Sequence, residues 1–482
     1  MMKKMDRDLF ISGVHGLDQI LGGGFLKGRL YLIEGVPGTG KTILGNQLVF
    51  NNAKMGNHSL FVTLLSESHG KMLDHIKSLN FYKEDLVGEY VSYLSGYTEL
   101  SENGLNAFKK FLMKAIRASK VKLLVIDGFN SVRFFSKDEI EFSNFLHDLN
   151  TLAGATNCTI VIMNPSTNNP TPSEHALVDG VIELKKTDVG MRNVREIHVR
   201  KMRGMTHYEG RHELRISDEG LLVFPRIELL VALLKPFHPQ LSNKKLSFGI
   251  TYLDEMLKSG VFVGSMTSLF GPPGSGKTLI GMQFLHEGLT NGENCLYFGF
   301  YETRDQMLSK ARGIGLDFDP YLESGKFRFE WFPPTEQLID ELFEKLVNII
   351  EEHKTARVFV DGIEGFKLSA VFSDRLPRFV ASLTIKLRAL GVTAIFSEEA
   401  RLPIVIKDYH SGEYSAAFEN IIYLRYMETD FQVRRLINIY KVRSSDYDIA
   451  IHEFSICDKG IVVEKKSFKP VKNEVESVDG DE

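Results

Sequence analysis

One eight-residue pattern occurs twice in this chain and sets what it can fold into. Gly35-Val36-Pro37-Gly38-Thr39-Gly40-Lys41-Thr42 fits G-x-x-x-x-G-K-[ST], and so does Gly271-Pro272-Pro273-Gly274-Ser275-Gly276-Lys277-Thr278. The glycines let backbone N–H groups close around a triphosphate. The lysine reaches the outer phosphates, the threonine hydroxyl holds Mg²⁺, and the helix that follows turns its positive end toward the anion. Such a loop works only between a buried strand and a helix. Leu30-Tyr31-Leu32-Ile33 and Met266-Thr267-Ser268-Leu269-Phe270 are apolar runs of strand length before the two loops. Residues Ile43, Leu44 and Leu48, then Leu279, Ile280 and Leu285, follow at helical spacing. The pattern predicts two nucleotide sites. Gly38, Thr39, Gly40, Lys41, Thr42 and Ile43 would form one; Gly274, Ser275, Gly276, Lys277, Thr278 and Leu279 would form the other. Thr42 and Thr278 are the expected Mg²⁺ ligands.

The repeat extends beyond the loops. Ser12-Gly13-Val14-His15-Gly16-Leu17-Asp18 returns as Phe248-Gly249-Ile250-Thr251-Tyr252-Leu253-Asp254. Glu67 and Glu302, Asp127 and Asp361, Arg203 and Arg443, and Gly220 and Gly460 also recur at nearly constant separation. Each repeat is long enough to be a whole domain, so the reading is two tandem α/β domains rather than a solenoid. The expected limits are 1–228 and 247–463, joined by a linker over 229–246 that includes Pro236 and Pro239. The apolar Leu229–Leu234 within it reads as a short docked helix. Residues 464–482 lose apolar periodicity and end in Asp479-Gly480-Asp481-Glu482, which reads as a disordered acidic tail.

Composition is that of an ordinary globular protein, with 43% hydrophobic and 25% charged residues. The net charge of −4 argues against a dedicated nucleic-acid binder. Cys158, Cys295 and Cys457 lie far apart without metal spacing and read as reduced structural residues. No secretory signal and no membrane-spanning apolar run is found, so the expected location is the cytoplasm.

Hydrolysis needs further groups. Val121–Asp127 and Arg357–Asp361 are buried-strand runs ending in aspartate, placed to orient Mg²⁺ or its water. The strands Leu60–Leu65 and Cys295–Phe300 lead to Glu67 and Glu302, candidate bases for the attacking water. Late in each half, Lys201-Met202-Arg203 and Lys441-Val442-Arg443 follow probable strands. Each cation pair would serve a neighbouring subunit's γ-phosphate as an arginine finger does, or else sit on a solvated basic hairpin.

Taken together, these residues resemble the KaiC family, tandem RecA-like P-loop ATPases, over about Phe10 to Gly460. The most specific stretches are Ile421–Glu428 and Ala450–Gly460. The resemblance implies two mostly parallel sheets flanked by helices, ATP and Mg²⁺ as ligands, a homo-oligomer of six subunits with ATP at the interfaces, and a KaiB-like protein partner. It also implies that Lys201, Met202 and Arg203 reach a neighbour's ATP in one ring, and Lys441, Val442 and Arg443 in the other. The family's paired glutamates after the base-bearing strand are reduced to one here, with Ser66 and Tyr301 in place of the first. Its Ser-Thr phosphoacceptor pair aligns with Ser415-Ala416. The expectation is an ATPase acting as a regulatory switch. The alternatives are a Ser/Thr autokinase with Ser415 as acceptor and a RecA-like DNA-dependent ATPase. The DNA reading is weakened because the segments 164–173 and 401–410 are not basic.

Overall fold

The two halves build the same sheet. The computed structural model describes residues 8–64, 69–166, 173–234, 243–400, 414–429, 432–458 and 460–467. The chain divides into two compact units, Met1–Leu229 and Leu230–Glu482. In the first, nine strands lie in the order Val91–Ser95, Ser59–Thr63, Leu123–Asp127, Thr159–Asn164, Leu30–Gly35, Gly180–Val189, Arg192–Met202, Arg211–Ser217 and Gly220–Phe224. The second repeats that order with Phe327–Trp331, Cys295–Gly299, Arg357–Asp361, Thr393–Glu399, Met266–Gly271, Asn420–Thr429, Gln432–Val442, His452–Cys457 and Gly460–Ser467. In each sheet the first six strands are parallel and the last three fold back antiparallel.

The phosphate-loop strand sits near the middle of each sheet, which explains its unbroken apolar run: a parallel strand covered on both faces has no side to show water. Along Leu30–Gly35 every residue is buried. Tyr31 and Ile33 enter the core on one face, and Leu30 and Leu32 the core on the other. The loop lies at the carboxyl end of this strand, where open α/β sheets place their ligands.

The repeated aspartate also has a clear role. Asp18 accepts the N–H groups of Ser12 and Gly13 at 2.9 and 3.1 Å. Asp254 accepts the N–H of Phe248 at 2.8 Å and the hydroxyl of Ser247 at 2.7 Å. Each pins the entry of its unit.

Ordered elements reach across the expected domain limits, and the short helix expected over 229–234 is present. A helix spans Ile227–Ala232, starting before the expected linker. The strand Lys245–Leu246 pairs with Val261–Phe262, so ordered structure resumes before 247. The last strand runs to Ser467, past the start of the expected tail, because it zips against His452–Cys457. Cys158 and Cys295 are buried free thiols, and Cys457 is half-buried. Among the described residues, no helix is long and apolar enough to cross a membrane.

Candidate nucleotide sites

In each unit the loop closes through two left-handed glycines. Gly38 and Gly40 have φ of 79° and 104°, and Gly274 and Gly276 have 72° and 104°. A side chain at these angles would be strained, which is why the pattern demands glycine there. The helices Lys41–Lys54 and Lys277–Thr290 start directly behind the loops, so their free N–H groups face the phosphate position.

Each loop lysine folds back over its own loop. The ammonium of Lys41 donates to the carbonyls of Gly35 and Val36 at 2.5 and 3.2 Å. That of Lys277 donates to Gly271 and Pro272 at 2.7 and 2.8 Å. Burial pulls both ammonium groups below the usual lysine range, against the attraction of Asp127 in the first unit and of Glu399, Glu364 and Asp361 in the second. A polyphosphate would add its own charge to that attraction.

The threonine and the strand-end aspartate meet as the sequence spacing suggested. Thr42 Oγ1 donates to Asp127 at 2.9 Å. Thr278 Oγ1 lies 3.1 and 3.3 Å from the two oxygens of Asp361. Asp361 also accepts from the hydroxyls of Tyr297 and Ser397, both at 2.7 Å. Burial raises its carboxyl above the ordinary range, against the pull of these three hydroxyls. A hydroxyl facing a carboxylate is a hard-oxygen pair of the kind Mg²⁺ takes.

The first site opens as a cleft of about 660 Å³, lined by Lys41, Thr42, Asp127, Asn164 and Arg195 among others. That size lies within the range typical of ligand pockets. Asn164 Oδ1 is buried without a hydrogen-bond partner among the described residues, and Arg195 Nε lies 3.5 Å from the Gly38 carbonyl. Sequence reading missed both. Arg195 and Arg435 recur at the same spacing as Arg203 and Arg443, and that repetition was the available signal. The second site differs in its acids: by sheet register Glu398 stands where the first unit has Asn164. Burial and Glu364 push Glu398 up to about 7, and burial raises Glu364 as well.

Glu302 lies three residues past the end of the strand Cys295–Gly299, close enough to Asp361 and Tyr297 to act on both electrostatically. Its Oε1 accepts from Lys310 at 2.5 Å, while Oε2 is buried and has no partner among the described residues. Glu67 lies outside the described residues, as do 167–172 and 401–410 of the two segments considered for DNA contact.

The late cation pairs sit at a β-bulge in both units. Val181 pairs with Lys201 but Ile182 with Val199, so Arg200 is the extra residue. Ile421 pairs with Lys441 and Ile422 with Ile439, which leaves Tyr440 extra. A bulge re-aims the side chains that follow it. Within the chain, Lys201 donates to the carbonyls of His175 and Val178 at 2.5 and 2.7 Å, and Arg203 to Ala176 at 2.7 Å. Lys441 donates to Ser415 and Phe418 at 2.9 and 2.8 Å, and Arg443 to Ala416 at 3.2 Å. The pairs thus hold the backbone of the preceding short helix, a role the sequence did not disclose.

Comparison with known proteins agrees with this duplicated geometry. The model of the family described as "ATPase: KaiC" matches residues 10–228 and again 246–467. The circadian clock oscillator protein KaiC of Picosynechococcus sp. is 27% identical over 474 residues, covering 95% of this chain and 89% of that protein. The KaiC of Synechococcus elongatus is 26% identical over 469 residues, covering 95% and 89%. KaiC 1 of Synechocystis sp. is 25% identical over 462 residues, covering 93% and 87%.

Proposed function

Because the chain belongs to the KaiC family of ATPases, we propose that it binds Mg·ATP at both phosphate loops and works as a regulatory switch in a ring of six copies. The observation that carries this is the convergence, in both units, of loop lysine, threonine hydroxyl and strand-end aspartate. When bound, Mg²⁺ neutralises charge on the β- and γ-phosphates. Thr42 with Asp127, and Thr278 with Asp361, would hold it. Lys41 and Lys277 would leave their loop carbonyls for the phosphates. Glu302, and Glu67 in the first unit, would orient the attacking water and take its proton.

The cations Lys201 and Arg203, and Lys441 and Arg443, would approach a neighbour's ATP, with the backbone at Met202 and Val442. Since each pair also holds its own chain's short helix, a neighbour's nucleotide would compete for those side chains. That competition would be the basis for switching, and a KaiB-like partner is the class of protein expected to read the state.

The test is ATP turnover with native mass, with and without nucleotide, on Lys41→Ala and Lys277→Ala. Each variant should keep one bound nucleotide per chain where the unmodified protein holds two. Mixing Lys41→Ala with Arg203→Ala chains should restore part of the first unit's activity. Full activity from a stable monomer would overturn the ring.

A further inference from the structure

We propose that the first unit carries a second binding pocket, for a small organic anion, at the end of the helix Lys41–Lys54 opposite the phosphate loop. A pocket of about 190 Å³ lies there, lined by Leu9, Phe10, Met55, Asn57, Lys122 and Thr159 among others. Fourteen residues of helix separate it from the loop, roughly 20 Å at 1.5 Å per residue. It is therefore distinct from the nucleotide cleft.

The duplication supplies an internal comparison. In the second unit the corresponding region is plugged by the chain itself. Arg357, which is 1% exposed, donates from Nε to Glu293 at 2.5 Å and from Nη1 to the carbonyls of Ser247 and Phe284 at 2.7 and 3.1 Å. Gly288 makes room for it, since a Cβ there would lie 2.6 Å from Arg357 Cδ. By sheet register, Leu123 pairs with Ser59 where Arg357 pairs with Cys295. The first unit thus has Leu123 for Arg357, Asn57 for Glu293 and Asn52 for Gly288. The plug and its carboxylate are both gone, and the pocket remains.

A buried group in that pocket also lacks its partner. Thr159 is 1% exposed and its Oγ1 makes no hydrogen bond among the described residues. Its counterpart Thr393 accepts the N–H of Gly264 at 2.9 Å. An unmet hydroxyl in a buried position is costly, and a ligand oxygen would satisfy it.

Charge selects the ligand. The first unit places Lys27 and Lys122 where the second has Val263 and Ala356. Asp8 pairs with Lys27 and is attracted by Lys122 as well, while Lys122 itself makes no ion pair among the described residues. Two helices end nearby and turn their negative ends this way, but the carbonyls of Asn52, Ala53, Ala153 and Gly154 are already taken by backbone N–H groups. The excess is one positive charge beside the apolar Leu9, Phe10 and Met55. A carboxylate on a compact apolar body fits this combination. The volume suits it, since a cavity of about 150 Å³ takes benzene.

The probe is 4-fluorobenzoate, followed by fluorine NMR on the full chain saturated with Mg·ADP so that both phosphate loops are filled. Binding should persist under those conditions, and 4-fluorobenzylamine should bind more weakly. Lys122→Ala should weaken binding about tenfold, the cost of losing one charge-assisted hydrogen bond, with ATP turnover unchanged. Transplanting the plug as Asn52→Gly, Asn57→Glu and Leu123→Arg should abolish it. Absence of binding at millimolar probe, displacement by Mg·ADP, equal affinity in Lys122→Ala, or preference for the amine would each overturn the proposal.

Discussion

Lys441 donates a 2.9 Å hydrogen bond to the carbonyl of Ser415, and this bond ties the late cation pair to the segment that carries the candidate acceptor. Burial beside Arg443 lowers the Lys441 ammonium below the usual lysine range, so the bond spares an already costly charge. Lys441→Ala should free two backbone carbonyls at once, those of Ser415 and Phe418. Amide hydrogen exchange across 415–418 should then speed up by about tenfold, the loss of roughly one net hydrogen bond. Arg443→Ala breaks only the longer 3.2 Å contact to Ala416 and should change exchange less. Identical exchange in Lys441→Ala and the unmodified chain would make the bond incidental.

Much of this arrangement was legible in the sequence, and the reason is repetition. Lys41, Thr42 and Asp127 recur with Lys277, Thr278 and Asp361 at matched spacing, and both trios meet in space. The fold followed because an unbroken apolar strand before a glycine loop admits few packings. What stayed hidden lies in contacts between distant segments. Glu34 meets His175 at 2.9 Å across 141 positions, and neither has a repeating counterpart of its own type. Arg357 reads as a strand-opening cation, yet it is among the most buried side chains. The bulges at Arg200 and Tyr440 are one-residue slips that leave no mark in composition.

Glu398 gives a pH-dependence with a definite sign. Its carboxyl is raised from 4.5 to about 7, chiefly by burial and then by Glu364. A raised folded-state value means the carboxyl favours folding while protonated. That contribution is complete below the unfolded value of 4.5 and is lost as pH rises through 7. The span corresponds to about 3 kcal/mol at most. Glu398→Gln keeps the shape and cannot ionise, as Asn164 cannot in the first unit. It should be more stable than the unmodified protein at pH 8, with the gap closing by about pH 5. Thermal unfolding of the nucleotide-free protein across that range measures it, and a gap that widens toward acid would reverse the assignment.

Glu302 is poised between two roles. One oxygen is held by Lys310, and the other is buried without a partner among the described residues, near enough to Asp361 to act on it electrostatically. If it orients water, Glu302→Gln should slow hydrolysis in the second unit by about 10²–10⁴-fold while nucleotide still binds. Lys310→Met removes only the ion pair and should cost far less. Turnover is best read in a Lys41→Ala background, where the first unit is silent. Equal and small losses in both variants would leave Glu302 as a surface ion-pair partner.

Phosphate transfer to Ser415 should be slow. An unassisted hydroxyl is a poor nucleophile at neutral pH, so a nearby base is needed. Tyr301 occupies the position where the family's first glutamate stands. Its phenol is raised above the usual tyrosine range by burial and by Glu364 and Glu399, so it remains protonated and takes no proton from serine. Ala416 offers no second hydroxyl. Incubation with γ-labelled ATP and peptide mapping should find little or no label on Ser415 over many hydrolytic turnovers. Tyr301→Glu restores a carboxylate and should raise any label there. Rapid, near-stoichiometric labelling of the unmodified chain at Ser415 would instead make autophosphorylation the main reaction of the second unit, with Glu302 or a half-buried acid such as Glu398 as its base.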